Sequence, residues 1–260
     1  MPNVIGLAGN VPAHIVQTRR STGTGNYDIG VRPDAPFKSV ADLRGKRITV
    51  LKGTNPYQSL VLLLESKGVA EKEVNLVNLP NADALVAFNA GAVDAVFGGI
   101  NLLILRDQGK MRIIDDTRSF KSYASQSGFM VSDKFDKAYP NAVSRVVKVL
   151  TKTLWWASEE KNRDALLQFV ADRSLAYKYV AEDYAGSLKD RHNPLIDESS
   201  VTAYKDIVKF CVERKLIRKA ADEATIRGWF KPEYQRAALK ELKLENYWSD
   251  GAGTAKVAKR

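Results

Sequence analysis

The stretch "VLKGTNPYQSLVLLLESKGV", residues 50–69, combines the end of an apolar strand, a small polar turn and an amphipathic helix. Asn55 suits the N-cap of that helix, and Pro56 suits its first helical position. Gly68 is the residue type that ends a helix. The apolar residues at helical spacing, which predict the buried face, are Leu60, Leu63 and Leu64.

The same alternation extends through the first 130 residues, where short β-branched segments alternate with helical patterns. Such alternation predicts the α/β class with a parallel sheet, whereas helical patterns alone follow residue 140. The predicted strands are 3–9, 27–33, 47–51, 73–79, 93–99, 112–116 and 127–132. The predicted helices are 11–19, 55–67, 81–91, 141–160, 162–172, 175–187, 198–214 and 222–242.

Composition limits the class of protein. The chain has 260 residues, of which 45% are hydrophobic and 27% are charged, as in an ordinary globular protein. No apolar segment approaches the roughly 18 residues that a membrane span needs, so we expect no stable membrane insertion. One cysteine, Cys211, excludes an internal disulfide and a cysteine-rich metal site. The start of the chain lacks the pattern of a secretory signal peptide.

The formal net charge of +10 favours an anionic partner. Because acidic residues are interleaved with the basic ones, as in "EEKNRD" and "KELKLEN", the charge indicates a solvated surface rather than a nucleic-acid stripe. We therefore expect a small anionic ligand and no nucleic acid. Binding to nucleic acid would instead show affinity that falls steeply with salt.

The turn before the first quoted helix has the chemistry of an anion site. Gly53, Thr54 and Asn55 offer backbone N–H groups at a helix N-terminus, a hydroxyl and the positive end of the helix dipole. A sulfonate accepts many hydrogen bonds and donates none, so it needs donors of this kind. Simple capping of the helix by Asn-Pro is the alternative interpretation.

Other reactive residues favour structural roles. Cys211 shares a helical face with apolar residues, which predicts a packed core thiol rather than a nucleophile. His14 and His192 are far apart and lack the spacing of metal ligands. We find no nucleophile–base pair, no phosphate-binding P-loop and no zinc cluster, so we expect no catalytic residue, no metal and no cofactor.

Three stretches carry a resemblance to a known family: "VADLRGKRITVLKGTN" (40–55), "ADALVAFNAGAVDAV" (82–96) and "WFKPEYQRAALKELKLENYW" (229–248). Together they resemble the substrate-binding proteins of ABC importers for aliphatic sulfonates, taurine and nitrate. The resemblance extends over essentially the whole chain from residue 3. It implies a type II periplasmic binding protein with two α/β lobes and two hinge crossovers, closing on a small anion.

On this resemblance, residues 1–33 and 122–248 form lobe one, with the C-terminal helices, and residues 34–121 form lobe two. The tail, 249–260, is expected to be disordered. The family has a signal peptide and two further β–α units before "LAGNVP". Since this sequence lacks them, we expect a truncated first lobe with an exposed sheet edge.

The resemblance also implies further ligand-binding residues. The "AGNVP" loop would bring Gly9, Asn10 and the Val11 N–H toward the ligand from lobe one. Where the family has Trp and Pro, this chain has Gly98, Gly99 and Asn101, which leaves room for a bulkier organic group. Ser125, near the second crossover, would add a hydroxyl.

The implied function is that of a non-enzymatic, monomeric, periplasmic solute-binding protein of an ABC transporter, which captures an alkane- or arylsulfonate and delivers it to a permease. An all-donor pocket suits sulfonate better than taurine, and nitrate and bicarbonate stay open. One alternative is an enzyme of the same fold, resembling an aromatic desulfinase or a pyrimidine-precursor synthase. Another is a fragment that does not bind.

Overall fold

The computed structural model of the protein describes residues 1–21, 27–118, 125–171 and 175–249. Within these ranges, β-branched segments form short strands because such side chains fit a pleated, buried surface. The strands are β1 (Ala13–Ser21), β2 (Asp28–Val31), β3 (Arg47–Thr49), β4 (Asn75–Val77), β5 (Ala95–Gly98), β6 (Arg112–Asp116) and β7 (Ser125–Ser132). The α-helices are α1 (Pro2–Ala8), α2 (Asn55–Ser66), α3 (Asn81–Asn89), α4 (Asn101–Asp107), α5 (Asp133–Ala138), α6 (Pro140–Ser158), α7 (Arg163–Ala171), α8 (Tyr177–Asp183), α9 (Leu188–Arg191), α10 (Glu198–Glu213), α11 (Glu223–Gly228) and α12 (Glu233–Glu241).

The chain divides into two compact units. Unit 1 comprises Met1–Thr22, Ala124–Leu166 and Gly186–Arg260. Unit 2 comprises Gly23–Tyr123 and Leu167–Ala185. The lobe boundaries expected from the sequence stay a prediction, and the expected disorder of 249–260 concerns residues that, from 250 onward, lie outside the described part of the chain.

Unit 2 contains a five-stranded mixed sheet in the order β4-β3-β5-β2-β6. β3 runs parallel to β4 and to β5, whereas β2 runs antiparallel to both β5 and β6. A buried apolar cluster holds α3 and α4 to this sheet through Phe88, Val96, Leu102 and Met111. Burial of apolar side chains such as these is the main favourable term in folding.

The α2 helix of unit 2 forms as the sequence predicts. Tyr57, Leu60, Val61, Leu63 and Leu64 are buried on it, and the predicted apolar stripe is confirmed. Gly68 has a φ of +72° just beyond the C-cap, as a helix-ending glycine does. Its N-cap is Thr54, one residue before the predicted Asn55.

Unit 1 is built on a two-stranded antiparallel sheet of β1 and β7. The long α6 helix packs its apolar face on this pair, in a cluster of Val16, Val131, Val143, Val147 and Ala238. The α1 helix is tied to the same sheet by the Asn3 side chain, whose Nδ2 donates to the Gly128 carbonyl oxygen at 3.2 Å.

Two predictions near the N-terminus are wrong. Residues 3–8 lie in the helix α1, with Gly9 as its C-cap, rather than in a strand, and residues 11–19 lie mainly in the strand β1 rather than in a helix. Seven residues are too few for periodicity to separate the two structures. Pro2 occupies a favourable first helical position, and pairing with the distant β7 fixes β1 as a strand.

Three further differences concern single elements. The sheet predicted to be parallel is mixed, because β2 runs antiparallel to both of its neighbours, β5 and β6. The α4 helix follows the paired glycines at the end of β5 and is absent from the prediction. The predicted helix 222–242 is interrupted between Gly228 and Glu233, where Pro232 cannot donate a helical hydrogen bond.

Candidate functional site

The carboxyl ends of three parallel strands meet at one edge of the sheet in unit 2, which we call the carboxyl edge. β4, β3 and β5 are neighbours and run in the same direction. Each is followed by a helix, so the N-termini of α3, α2 and α4 lie at this edge. In open α/β sheets, this is the edge at which ligands bind.

The turn that joins β3 to α2 is held in shape by three features. Gly53 has a φ of +78°, in the left-handed region that glycine adopts without strain. The Lys52 backbone N–H donates to Asn78 Oδ1 at 2.8 Å, which ties this turn to the loop after β4. The Thr54 hydroxyl donates to the Leu51 carbonyl oxygen at 2.5 Å.

This geometry leaves two backbone donors open. Within the described residues, the N–H groups of Gly53 and Thr54 have no protein acceptor, and both residues are partly exposed. The α2 helix behind them has 12 residues, so its dipole places partial positive charge at the same point. Asn55 makes a further interaction of its own. The turn can therefore donate at least two backbone hydrogen bonds to an anion.

The Thr54 hydroxyl is not the free donor that the sequence suggests. A hydroxyl has one hydrogen, and here the Leu51 carbonyl takes it. In this arrangement the Thr54 oxygen can accept but not donate, and donation to a ligand would require the hydroxyl to rotate. What Thr54 supplies as it stands is its backbone N–H.

The second predicted segment of unit 2 lies beside the first. Gly98 ends β5, which neighbours β3, and Gly99 and Asn101 follow it at the start of α4. A Cβ at Gly98 would make an ordinary van der Waals contact with the Leu102 side chain, 3.4 Å from its Cγ. The fold thus brings Gly53, Thr54 and Asn55 to the same edge as Gly98, Gly99 and Asn101, and their contact with a ligand stays a prediction.

Three predicted ligand residues of unit 1 lie at the C-terminus of a helix rather than at an N-terminus. Gly9, Asn10 and Val11 close the C-terminus of α1, where Asn10 takes a left-handed φ of 62°. Gly9 N–H donates to Ile5 and Gly6, Asn10 N–H to Leu7, and Val11 N–H to Gly6 at 3.1 Å.

Two parts of the expectation for this loop are therefore wrong. The Val11 N–H is already used within the protein, and the loop runs from helix to strand rather than from strand to helix. A helix C-terminus carries partial negative charge, which does not attract an anion. The exposed Asn10 side-chain amide stays a predicted donor.

Ser125 begins β7, but its side chain lies outside the described part of the structure, so its predicted role is not tested.

A charged cluster at the carboxyl edge is missing from the sequence-based prediction. Arg118 Nη1 lies 2.7 Å from Asp28 Oδ1 and 3.0 Å from Asp116 Oδ2. Asp28 is 1% exposed, and this burial raises the pKa of its carboxyl, although the Arg118 guanidinium opposes the rise. The signal in the sequence is the arginine of "RIIDDTR", placed directly after a strand.

Two reactive residues away from this edge, Cys211 and His192, are buried in the protein interior. Cys211 is fully buried on α10 beside Tyr204 and Val208, which confirms the predicted core thiol. Burial raises the pKa of the Cys211 thiol to about 11. His192 is 4% exposed, and burial lowers the pKa of its imidazole to about 4.

Within residues 1–21, 27–118, 125–171 and 175–249, no three His, Cys, Asp or Glu side chains are grouped as metal ligands. Across the same ranges, none of the helices has both the length and the apolar character needed to cross a bilayer.

Comparison with known proteins agrees with this architecture. The family model described as NMT1/THI5 like matches residues 2–163. A protein of Bacillus subtilis (strain 168) named as an aliphatic sulfonates-binding protein is 26% identical over 198 residues. The match covers 75% of this chain and 58% of that protein, so this chain spans less than two thirds of its relative's length.

Solved structures show the same fold. The periplasmic sulfonate-binding protein SsuA of a sulfonate ABC transporter from Methylobacillus flagellatus KT superposes with a TM-score of 0.81 at 25% identity. That match covers 98% of this chain and 77% of the other. The desulfurization enzyme DszB superposes with a TM-score of 0.72 at 18% identity, covering 93% and 83%.

These matches confirm the α/β fold of periplasmic binding proteins that the sequence resemblance implies. Since the family model matches well over half of its residues, the chain belongs to the NMT1/THI5-like family.

Proposed function

We propose that this protein is a solute-binding component of an ABC importer, which captures an alkane- or arylsulfonate at the carboxyl edge of unit 2. The observation that carries the proposal is the pair of N–H groups of Gly53 and Thr54 at the N-terminus of α2, which meet no protein acceptor in the part of the chain that the structure describes. Such a terminus combines aligned donors with partial positive charge, and both favour an oxyanion. The names of the Bacillus and Methylobacillus proteins, both of which specify sulfonate binding, support the choice of sulfonate.

The proposed affinity is physically reasonable. Hydrogen bonds to an anion contribute roughly 1.5–3 kcal/mol each, so three or four such bonds give micromolar binding after desolvation and ordering costs. The glycines at 98 and 99 place no side chain over the ligand, which favours an arylsulfonate or a branched alkyl group. Nitrate and bicarbonate are the competing oxyanions, whereas taurine, with its ammonium group, suits an all-donor pocket less well.

We further propose that the protein acts in the periplasm as a monomer and delivers its ligand to a permease. The name of the Methylobacillus protein, a periplasmic component of an ABC transporter, supports this placement. A non-enzymatic role is supported by Cys211, since a buried thiol with a raised pKa is a poor nucleophile. The predicted closure of two lobes on the ligand stays a prediction.

Thermal unfolding in the presence of candidate anions tests the proposal. Benzenesulfonate, butanesulfonate, taurine, nitrate and bicarbonate are compared at equal ionic strength, with sodium chloride as the control. A ligand at 100 times its Kd adds about 2.7 kcal/mol to the free energy of unfolding, or roughly 5–10 °C in Tm. We expect the two sulfonates to give the largest shifts. No shift from either sulfonate would contradict the proposal.

A further inference from the structure

Arg118 lies at the carboxyl edge but has no part in the function described so far. Asp28, at the start of β2, pairs in register with Gly98 of β5 on one side and with Asp116 of β6 on the other. Arg118 follows Asp116 by two residues, and its guanidinium reaches back to Asp28. The guanidinium therefore lies about one strand spacing, roughly 5 Å, from β5 and about two from β3.

Two carboxylates hold the guanidinium in a defined orientation. Asp28 takes the end-on pair of donors, with Nη1 to Oδ1 at 2.7 Å and Nη2 to Oδ2 at 3.4 Å. Asp116 Oδ2 lies 3.0 Å from Nη1. Because the Asp28 side chain is buried, it cannot reorient freely, and its two oxygens therefore fix the plane of the guanidinium.

The backbone at this point is fixed as well. The Thr117 N–H donates to the Tyr27 carbonyl oxygen at 3.0 Å, and the Tyr27 N–H donates to Thr117 Oγ1 at 3.0 Å. The Arg118 N–H donates to Asp116 Oδ1 at 2.7 Å. These bonds join the end of β6 to the start of β2, so the Arg118 side chain starts from a rigid base.

One side of the guanidinium stays open. An arginine has five N–H donors, and the contacts with Asp28 and Asp116 use three of them. The remaining two, on Nε and Nη2, point the same way and form the side-on fork of the guanidinium. Within the described residues no acceptor meets this fork, and the Arg118 side chain is 34% exposed.

The local charge does not by itself favour an anion. Arg118 carries one positive charge, whereas Asp28 and Asp116 carry two negative charges when ionised. Binding of an oxyanion here would therefore depend on the directed N–H donors of Arg118 and not on the net charge of the cluster. A fork of two parallel N–H groups matches two oxygens of one sulfonate, a geometry that a lysine ammonium cannot reproduce.

We propose that Arg118 binds the sulfonate through its open Nε and Nη2 donors, and that Asp28 is the positioning residue that aims this fork. The inference rests on the proposed function and adds a residue that would bind two oxygens of the tetrahedral sulfonate group. Together with the N–H groups of Gly53 and Thr54, the fork would enclose the sulfonate from a second side. The organic group of the ligand is then left on the side of Gly98 and Gly99.

Calorimetric titration of the full chain with benzenesulfonate tests the proposal. We expect Arg118→Gln to weaken binding by about 10- to 100-fold, and Arg118→Lys to weaken it by about tenfold although the charge is kept. Asp28→Asn is the discriminating variant. Simple electrostatics predicts tighter binding when a carboxylate beside an anion is removed, whereas a positioning role predicts binding weakened by roughly 3- to 10-fold.

The Arg47–Asp94 pair supplies the matched control. It is the same kind of ion pair in the same sheet, with Arg47 Nε 3.2 Å from Asp94 Oδ2, but it lies at the opposite edge. Arg47→Gln and Asp94→Asn should leave the affinity unchanged. Unliganded thermal unfolding verifies that each variant is folded, and Arg118→Lys, which keeps the charge, replaces Arg118→Gln if that variant is not.

The outcomes separate the two proposals. Wild-type protein that binds benzenesulfonate while both Arg118 variants bind equally well overturns the Arg118 inference alone. Tighter binding by Asp28→Asn overturns the positioning role. Wild-type protein that binds no sulfonate overturns the proposed function, and this inference with it.

Discussion

At the scale of single residues, the proposed site depends on a glycine. Gly53 takes a left-handed φ of +78°, and among the residues that the structure describes no acceptor meets its N–H or that of Thr54. A side chain at this φ costs roughly 1 kcal/mol, and it would shift the turn away from the geometry that presents the two donors. The backbone, more than any side chain, makes this turn suitable for an anion.

Gly53→Ala and Gly68→Ala form a matched pair at the two ends of α2. Both glycines have left-handed φ values, +78° and +72°, so both variants should lower the free energy of unfolding by roughly 1 kcal/mol. Only Gly53→Ala should also weaken benzenesulfonate binding, by about tenfold, because Gly68 lies at the far end of the helix. Equal affinity of the two variants, measured by calorimetry, would contradict a site at the Gly53 turn.

His192 makes stability depend on pH. Burial lowers the pKa of its imidazole to about 4 in the folded protein, whereas an unfolded histidine titrates near 6.5. Between these values the unfolded chain binds the proton and the folded chain does not. Stability is therefore fully present above about pH 6.5 and falls by up to about 3 kcal/mol as the pH drops toward 4.

Urea unfolding of the wild type and of His192→Asn between pH 4 and 7 measures this effect. The variant removes the group that takes up the proton, so the free energy of unfolding should depend less steeply on pH below 6.5. Other titrating groups affect both proteins equally and cancel in the difference. Identical slopes would show that His192 is not the cause.

At the scale of elements, α6 shows how one helix combines a buried and an exposed face. Val147 is fully buried in the cluster that joins α6 to β1 and β7, whereas Val149 on the opposite side is 63% exposed. The two residues are chemically identical and only two positions apart. Replacing each of them by alanine therefore separates the effect of burial on stability from the effect of helix propensity.

Val147→Ala should therefore lower the free energy of unfolding by roughly 1.5–3 kcal/mol, through lost burial and the cavity that remains. Val149→Ala should change it by less than about 0.5 kcal/mol, because alanine is also the better helix former. Chemical denaturation of both variants is the measurement. A loss of similar size for both would mean that α6 does not pack as described.

The elements also show what a sequence can predict. The β3–turn–α2 segment could be predicted because Gly53, Pro56, the leucine stripe and Gly68 all indicate the same local structure. The segment 11–19 could not, because β1 exists only through pairing with β7, more than a hundred residues away. Arg118 was missed for a similar reason, since its partner Asp28 lies 90 positions earlier in the chain.

At the scale of the whole molecule, the two units place the predicted ligand residues in different surroundings. Six of the ten predicted ligand residues lie at the carboxyl edge of unit 2, where three helix N-termini meet. The three from unit 1 with described surroundings lie at a helix C-terminus, and their N–H groups are used within the protein. We therefore expect unit 2 to determine which anion is bound.

The most direct test of the account is a titration of ¹⁵N-labelled protein with benzenesulfonate, followed by the chemical shifts of the backbone amides. A new charge-assisted hydrogen bond moves the proton resonance of its donor, so the largest downfield changes should occur at Gly53 and Thr54. The amides of Gly9, Asn10 and Val11, which already donate within α1, should change little. Saturable binding that leaves the Gly53 and Thr54 resonances in place would contradict the central claim that this turn holds the anion.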